Sequence, residues 1–190
     1  MTTIDQEIQF IKNEIVKRWK RERKIVQDAN HLVTYCNKIS FYAKTYMIIA
    51  FSAPGIHEIY EKFLELAQKI RQLYLQISNE YKNISKILGE FENCLKYKNI
   101  QRCHENENSS KHSMATCYKY RKQLRKFRIE IDDLFQNIVS LAINYLNPPE
   151  EPIKEQNENH QNEIFYTPYR RNRIIHGQLS EIFYSPYRRN

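Results

Sequence analysis

The chain has 190 residues, a net charge of +8, three glycines and six prolines. Up to residue 147 the only proline is Pro54 and the only glycines are Gly55 and Gly89, too few turn residues for a sandwich or an α/β domain. The basic balance favours an anionic partner over a basic one, and four cysteines in this length exclude a disulfide scaffold.

The first predicted helix runs from Ile4 to Ala50. Its seam reads Ile4, Ile8, Ile11, Ile15, Arg18, Glu22, Ile25, Ala29, Leu32, Cys36, Ile39, Ala43, Tyr46 and Ala50. The alternation of three and four residues survives across Arg18 and Glu22, which predicts one helix with a polar layer. Ser52-Ala53-Pro54-Gly55 then breaks the pattern, and so short a connection folds the next helix back antiparallel.

The second helix is predicted over Ile56–Lys98, with a stripe of Ile59, Phe63, Leu66, Ile70, Leu73, Ile77, Tyr81, Ile84, Leu88, Phe91 and Leu95. Glu58, Glu61 and Glu65 sit near its start, where the helix dipole favours them. Asn99 to Lys111 is polar and reads as a loop or a frayed helix end. A third helix follows from about Ser113 to Leu146 on Cys117, Tyr120, Leu124, Phe127, Ile131, Leu134, Ile138, Ala142 and Tyr145, and Asn147-Pro148-Pro149 stops it. The fold expected for residues 1–147 is all-α, an elongated antiparallel three-helix coiled-coil bundle.

Residues 148–162 form a polar linker rich in Pro, Glu and Asn, and residues 163–190 a tail predicted to be disordered. Within that tail Glu163–Asn172 recurs as Glu181–Asn190, differing only at Thr167 and Ser185. Phe165, Tyr166, Pro168, Tyr169, Arg170 and Arg171, repeated as Phe183, Tyr184, Pro186, Tyr187, Arg188 and Arg189, combine aromatic anchors with cations, as binding hot spots do. Thr167 and Ser185 precede proline and a downstream arginine, a pattern that suits proline-directed phosphorylation. Two copies on one segment permit bivalent capture of a protein partner.

Counting from the turn at Pro54 brings Lys17, Arg18, Lys20, Arg21, Arg23 and Lys24 beside Lys119, Arg121, Lys122, Arg125, Lys126 and Arg128, with Lys82 and Lys86 adjacent. A basic band around the bundle is the expectation, with Trp19 inside it. Such a band would dock an anionic membrane surface or a cytoskeletal filament, or alternatively the phosphates of a nucleic acid. The same charges also fit a solvated face with Trp19 packed in the seam. No helix-turn-helix, zinc-finger or RNA-binding pattern accompanies them.

Evidence for catalysis is thin. The chain has no glycine-rich phosphate loop, no GxSxG and no HExxH. Cys94, Cys103, His104, His112 and Cys117 supply ligand types for zinc, but their spacings match no paired pattern, so neither metal nor cofactor is expected. The longest apolar run, Tyr46–Phe51, is far below the ~20 residues of a membrane span, and MTTIDQEIQF lacks a signal-peptide pattern. The expectation is a non-enzymatic, cytoplasmic scaffold or adaptor, with a homodimer compatible with the polar layer and the length of the rod.

Three long helices with a basic surface resemble, in architecture, BAR-type membrane-curving domains and the bundles of the vinculin and α-catenin group. The first likeness implies a dimer on anionic lipid, the second an actin or junction partner. Neither rests on a motif of this chain, and no family follows.

Overall fold

Apolar residues spaced three and four apart line one face of a helix, and three such faces can bury one another only by packing mutually. In a computed structural model, residues 3–148 are described. They form α1 (Thr3–Ile49), α2 (Ile56–Tyr97) and α3 (Ile100–Leu146), and each helix packs against both others. No strand occurs among the described residues. At about 1.5 Å per residue, α1 and α3 are each roughly 70 Å long.

The seams of α1 and α2 lie in the core nearly as their spacing predicts. Ile8, Ile11, Ile15, Glu22, Ile25, Ala29, Leu32, Cys36, Ile39, Ala43 and Tyr46 are buried on α1, and Phe63, Leu66, Ile70, Leu73, Ile77, Ile84 and Phe91 on α2. The ends of the stripes fray: Ile4 and Tyr145 are exposed, since neither has a full turn of neighbour beyond it to cover it.

Between α1 and α2 the chain turns with Ala53 N–H donating to the Ala50 carbonyl at 2.8 Å, and Gly55 takes φ 79°. That left-handed backbone is strained for any residue with a Cβ, which is why a glycine stands there.

The second connection departs from expectation. Asn99–Lys111 is not a loop; α3 begins at Ile100. Lys98, at φ 51°, closes α2 with its N–H on the Leu95 carbonyl at 3.3 Å, and Asn99 N–H reaches the Cys94 carbonyl at 3.2 Å. The Asn99 side chain then accepts from Arg102 N–H at 3.1 Å, capping α3. Two residues therefore end one helix and start the next. The helical stripe in this stretch is Cys103, Asn106, Ser110, Ser113, Met114 and Cys117, all buried, with small and polar side chains where aliphatic ones stand elsewhere.

The chain divides into two units, Met1–Glu150, which holds α1 to α3, and Glu151–Asn190. The linker beyond Pro148 and both tail repeats, including Thr167 and Ser185, lie outside the described residues.

Candidate functional site: a basic stretch and a buried polar layer

Inter-helix contacts fix which residues share a height. Between α1 and α2, Asp5 pairs with Lys98, Lys12 with Glu92, Trp19 with Ser85 and Asn37 with Arg71. Between α1 and α3, Glu7 meets His104, Arg18 meets Ser110, Glu22 meets Ser113 and Tyr35 meets Asp132.

These pairings place the two cationic runs in series. Lys17–Lys24 of α1 is level with the Ser110–Ser113 turn of α3, beside Lys82 and Lys86 of α2. Lys119–Arg128 lies farther along, between the Glu22–Ser113 and Tyr35–Asp132 contacts. The displacement follows from the second connection: with α3 starting at Ile100 rather than near Ser113, its basic run slides about three turns along the bundle. The cations thus occupy a longer stretch instead of a single ring.

Most of them face water. Lys17, Lys20, Arg21, Arg23, Lys24, Lys82, Lys86, Lys119, Lys122, Arg125, Lys126 and Arg128 are exposed, and Arg121 is half-buried. Lys17 reaches Glu14 at 2.6 Å, Lys86 reaches Glu90 and Lys126 reaches Glu130, all within their own helices. Lys20, Arg21, Arg23, Lys24, Lys82, Lys119, Arg121, Lys122, Arg125 and Arg128 make no salt bridge with the described residues. Two exposed apolar side chains flank the α3 run, Tyr118 before it and Ile129 after it, the latter at 64%.

Arg18 and Trp19 are engaged elsewhere. The Trp19 indole N–H donates to Ser85 Oγ at 3.0 Å, its ring stacks on Tyr81, and the Arg23 guanidinium lies 5.9 Å above it. Arg18, with a side chain only 14% exposed, donates to Ser110 Oγ at 2.9 Å and pairs with Glu14 and Glu107. Glu107 is held below the usual carboxylate range, chiefly by the Lys111 hydrogen bond and further by the charges of Lys111, Arg18 and His104.

One turn from Arg18 lies Glu22, fully buried. Its Oε2 is 3.5 Å from Ser113 Oγ, which in turn is 3.0 Å from Glu80 Oε2; its Oε1 has no hydrogen-bond partner among the described residues. All three helices contribute to this layer. Its α1 half is legible in the seam, but its α3 half is hidden by the loop-like composition around it. The signal that would have found it is the three-four spacing of Cys103, Asn106, Ser110, Ser113 and Cys117.

The thiols have no reactive setting. Cys36, Cys94, Cys103 and Cys117 are free and buried. Burial pushes Cys36 and Cys103 up to about 11 and Cys117 up to about 12, so each stays a thiol at neutral pH. Asn106 Nδ2 donates to Cys94 Sγ at 3.5 Å, and Cys94 and Cys103 pack with Ile8, Ile11, Ile15 and Phe91. His104 faces Glu7 and Glu107, and His112 is exposed. Among the described residues no group of three His, Cys, Asp or Glu side chains could hold a metal ion. No helix among them is long and apolar enough to cross a membrane. Asp132 accepts from the Tyr35 hydroxyl at 2.5 Å, and that phenol is raised above its ordinary value, first by burial and then by Asp132.

No family model matches the chain, and neither a curated protein nor a solved structure matches it.

Proposed function

We propose that this protein is a non-enzymatic helical scaffold whose bundle docks on an anionic membrane surface and whose tail motifs recruit a protein partner. The observation that carries the reading is the set of exposed cations on α1 and α3, among them Lys20, Arg21, Lys122 and Arg125, that make no salt bridge with the described residues. Like charges held this close repel one another, and an anionic surface relieves that repulsion. Exposed Tyr118 and Ile129, flanking the α3 run, favour lipid over nucleic acid or a filament, because a bilayer interface accepts apolar side chains beside its phosphates. Trp19 is held by Ser85 and Tyr81, so docking rests on cations rather than on tryptophan insertion.

The bundle behind this surface is proposed to be an antiparallel coiled coil. Partner numbers on α2 fall as those on α1 rise, from Asp5–Lys98 to Asn37–Arg71, while partner numbers on α3 rise with α1. The polar layer supports the same register, since a buried polar group penalises every slip that leaves it without partners.

The test is co-sedimentation of the full chain with vesicles of phosphatidylserine and phosphatidylcholine, and of phosphatidylcholine alone, over a range of salt. Beside it runs a variant with Lys20→Glu, Arg21→Glu, Lys122→Glu and Arg125→Glu, all exposed positions. Binding only to the anionic vesicles, weakening with salt and at least tenfold lower in the variant, is the expected result. Failure to bind at low salt, with retention of DNA or RNA in a parallel gel shift, replaces the lipid reading with the nucleic-acid one.

A further inference from the structure

A carboxylate can accept about four hydrogen bonds and donates none, whereas a carboxylic acid donates one of its own. Glu22 is 0% exposed, and the described side chains give it almost nothing to accept. Oε1 is without a partner, and the only hydroxyl in reach, Ser113 Oγ, has a single proton and a better acceptor in Glu80 Oε2, at 3.0 Å against 3.5 Å. An ionised Glu22 would therefore sit buried, with few protein donors, and close to a second carboxylate.

One proton resolves the arrangement. With Glu22 neutral, its O–H donates to Ser113 Oγ, and Ser113 donates onward to Glu80, so a continuous chain of donors crosses from α1 through α3 to α2. The cation of the α1 seam, Arg18, does not neutralise Glu22, because it is committed to Glu14, Glu107 and Ser110. On α2 the titratable group that faces Glu22 is Glu80, of the same charge, and on α3 it is Cys117, a weak donor.

We propose that this layer is a proton-operated joint: a neutral Glu22 lets the three helices close over it, and its ionisation parts them locally at the height of Ser113 and Cys117. The titration range agrees with the geometry. Glu22 is pushed up from 4.5 to about 7, first by burial and further by the charge of Glu80. A carboxyl raised on folding binds its proton more tightly in the folded state. Its contribution is thus fully present below about 4.5 and is lost as pH rises through about 7. Carboxylates lowered on folding, such as Glu107, act in the opposite sense and below 4.5, outside that window. The joint does not depend on what the basic stretch binds.

The experiment uses the full chain and three readouts. The unfolding constant of the protein should rise with pH between about 5 and 7, by up to about tenfold per unit, and Glu22→Gln should remove that component, since its amide keeps a donor without a charge. In the unsubstituted protein, the side-chain carboxyl carbon of Glu22 followed by NMR should titrate near 7, and Glu80→Gln should lower the midpoint. Labelling with methyl methanethiosulfonate should show Cys117 gaining on Cys36, buried in the other half of the bundle, as pH goes from 6 to 8, with no gain in Glu22→Gln. A Glu22 midpoint between 4 and 5 overturns the proposal. So does a midpoint near 7 with an unchanged ratio of Cys117 to Cys36 labelling, because the proton would then be bound without moving the helices.

Discussion

The two halves of α3 carry the same three-four periodicity and are buried to the same depth, yet they are built from different chemistry. From Leu124 to Ala142 the core face is Leu124, Ile131, Phe135, Ile138, Val139 and Ala142; from Cys103 to Cys117 it is Cys103, Asn106, Ser110, Ser113, Met114 and Cys117. The aliphatic half derives its stability from area removed from water, at about 25 cal/mol per Å². The polar half buries less apolar area and must satisfy each hydroxyl, amide and carboxylate it encloses. What it adds instead is the polar contact of Ser113 with Glu22 and Glu80, the kind of buried group that penalises a slipped alignment. The two segments of one helix thus differ in what they ask of their neighbours.

The largest effect is expected in the aliphatic half. Phe63 is fully buried, with its ring 6.5 Å from that of Phe135. Phe63→Ala should cost about 3–5 kcal/mol in denaturant unfolding, through lost transfer energy and the cavity left behind. A loss below 1 kcal/mol would mean that this half collapses around the gap, and that its core is no better packed than the polar half.

The polar half should respond with the opposite sign. Glu22→Met at pH 8 removes a buried acceptor that has no partner and fills the space with apolar atoms, which should raise stability by about 1–3 kcal/mol. At pH 5, where Glu22 is neutral, the gain should shrink. Greater stability accompanied by loss of a single set of Ser113 and Glu80 resonances would show that the layer serves alignment. An unchanged spectrum would assign alignment to the helix connections instead.

That contrast also explains what could be read from residues alone. Where large aliphatic side chains mark each turn, as from Phe63 to Phe91 on α2, the spacing placed the core with little error. In the opening turns of α3 the same spacing is carried by Cys, Asn and Ser, which also favour loops and caps, so composition masked periodicity. Asn99 is a sound N-cap signal, but it follows Lys98, a residue that takes a left-handed backbone only because the helix end requires it. The resulting shift moved Lys119–Arg128 along the bundle from Lys17–Lys24. Arg18 and Glu22 were visible as a polar layer from α1; their partners Ser110 and Ser113 were not, because finding them needs the register of α3.

The smallest effect tests whether α2 is as continuous beside the polar half as beside the aliphatic one. Gly89 lies on an exposed position of α2, between the heights at which Trp19 meets Ser85 and Lys12 meets Glu92. A Cβ placed there meets nothing within 4 Å, so Gly89→Ala changes only backbone freedom. Alanine is the better helix former by about 1 kcal/mol, which for a bundle of this size is a rise of about 2–4 °C in Tm. The full rise requires residue 89 to be helical in every folded molecule. A smaller rise, returning to the full value when Glu22 is also replaced by Gln, would show that α2 loosens here whenever the joint at Glu22 opens, and would place the weak point of the bundle in its polar half.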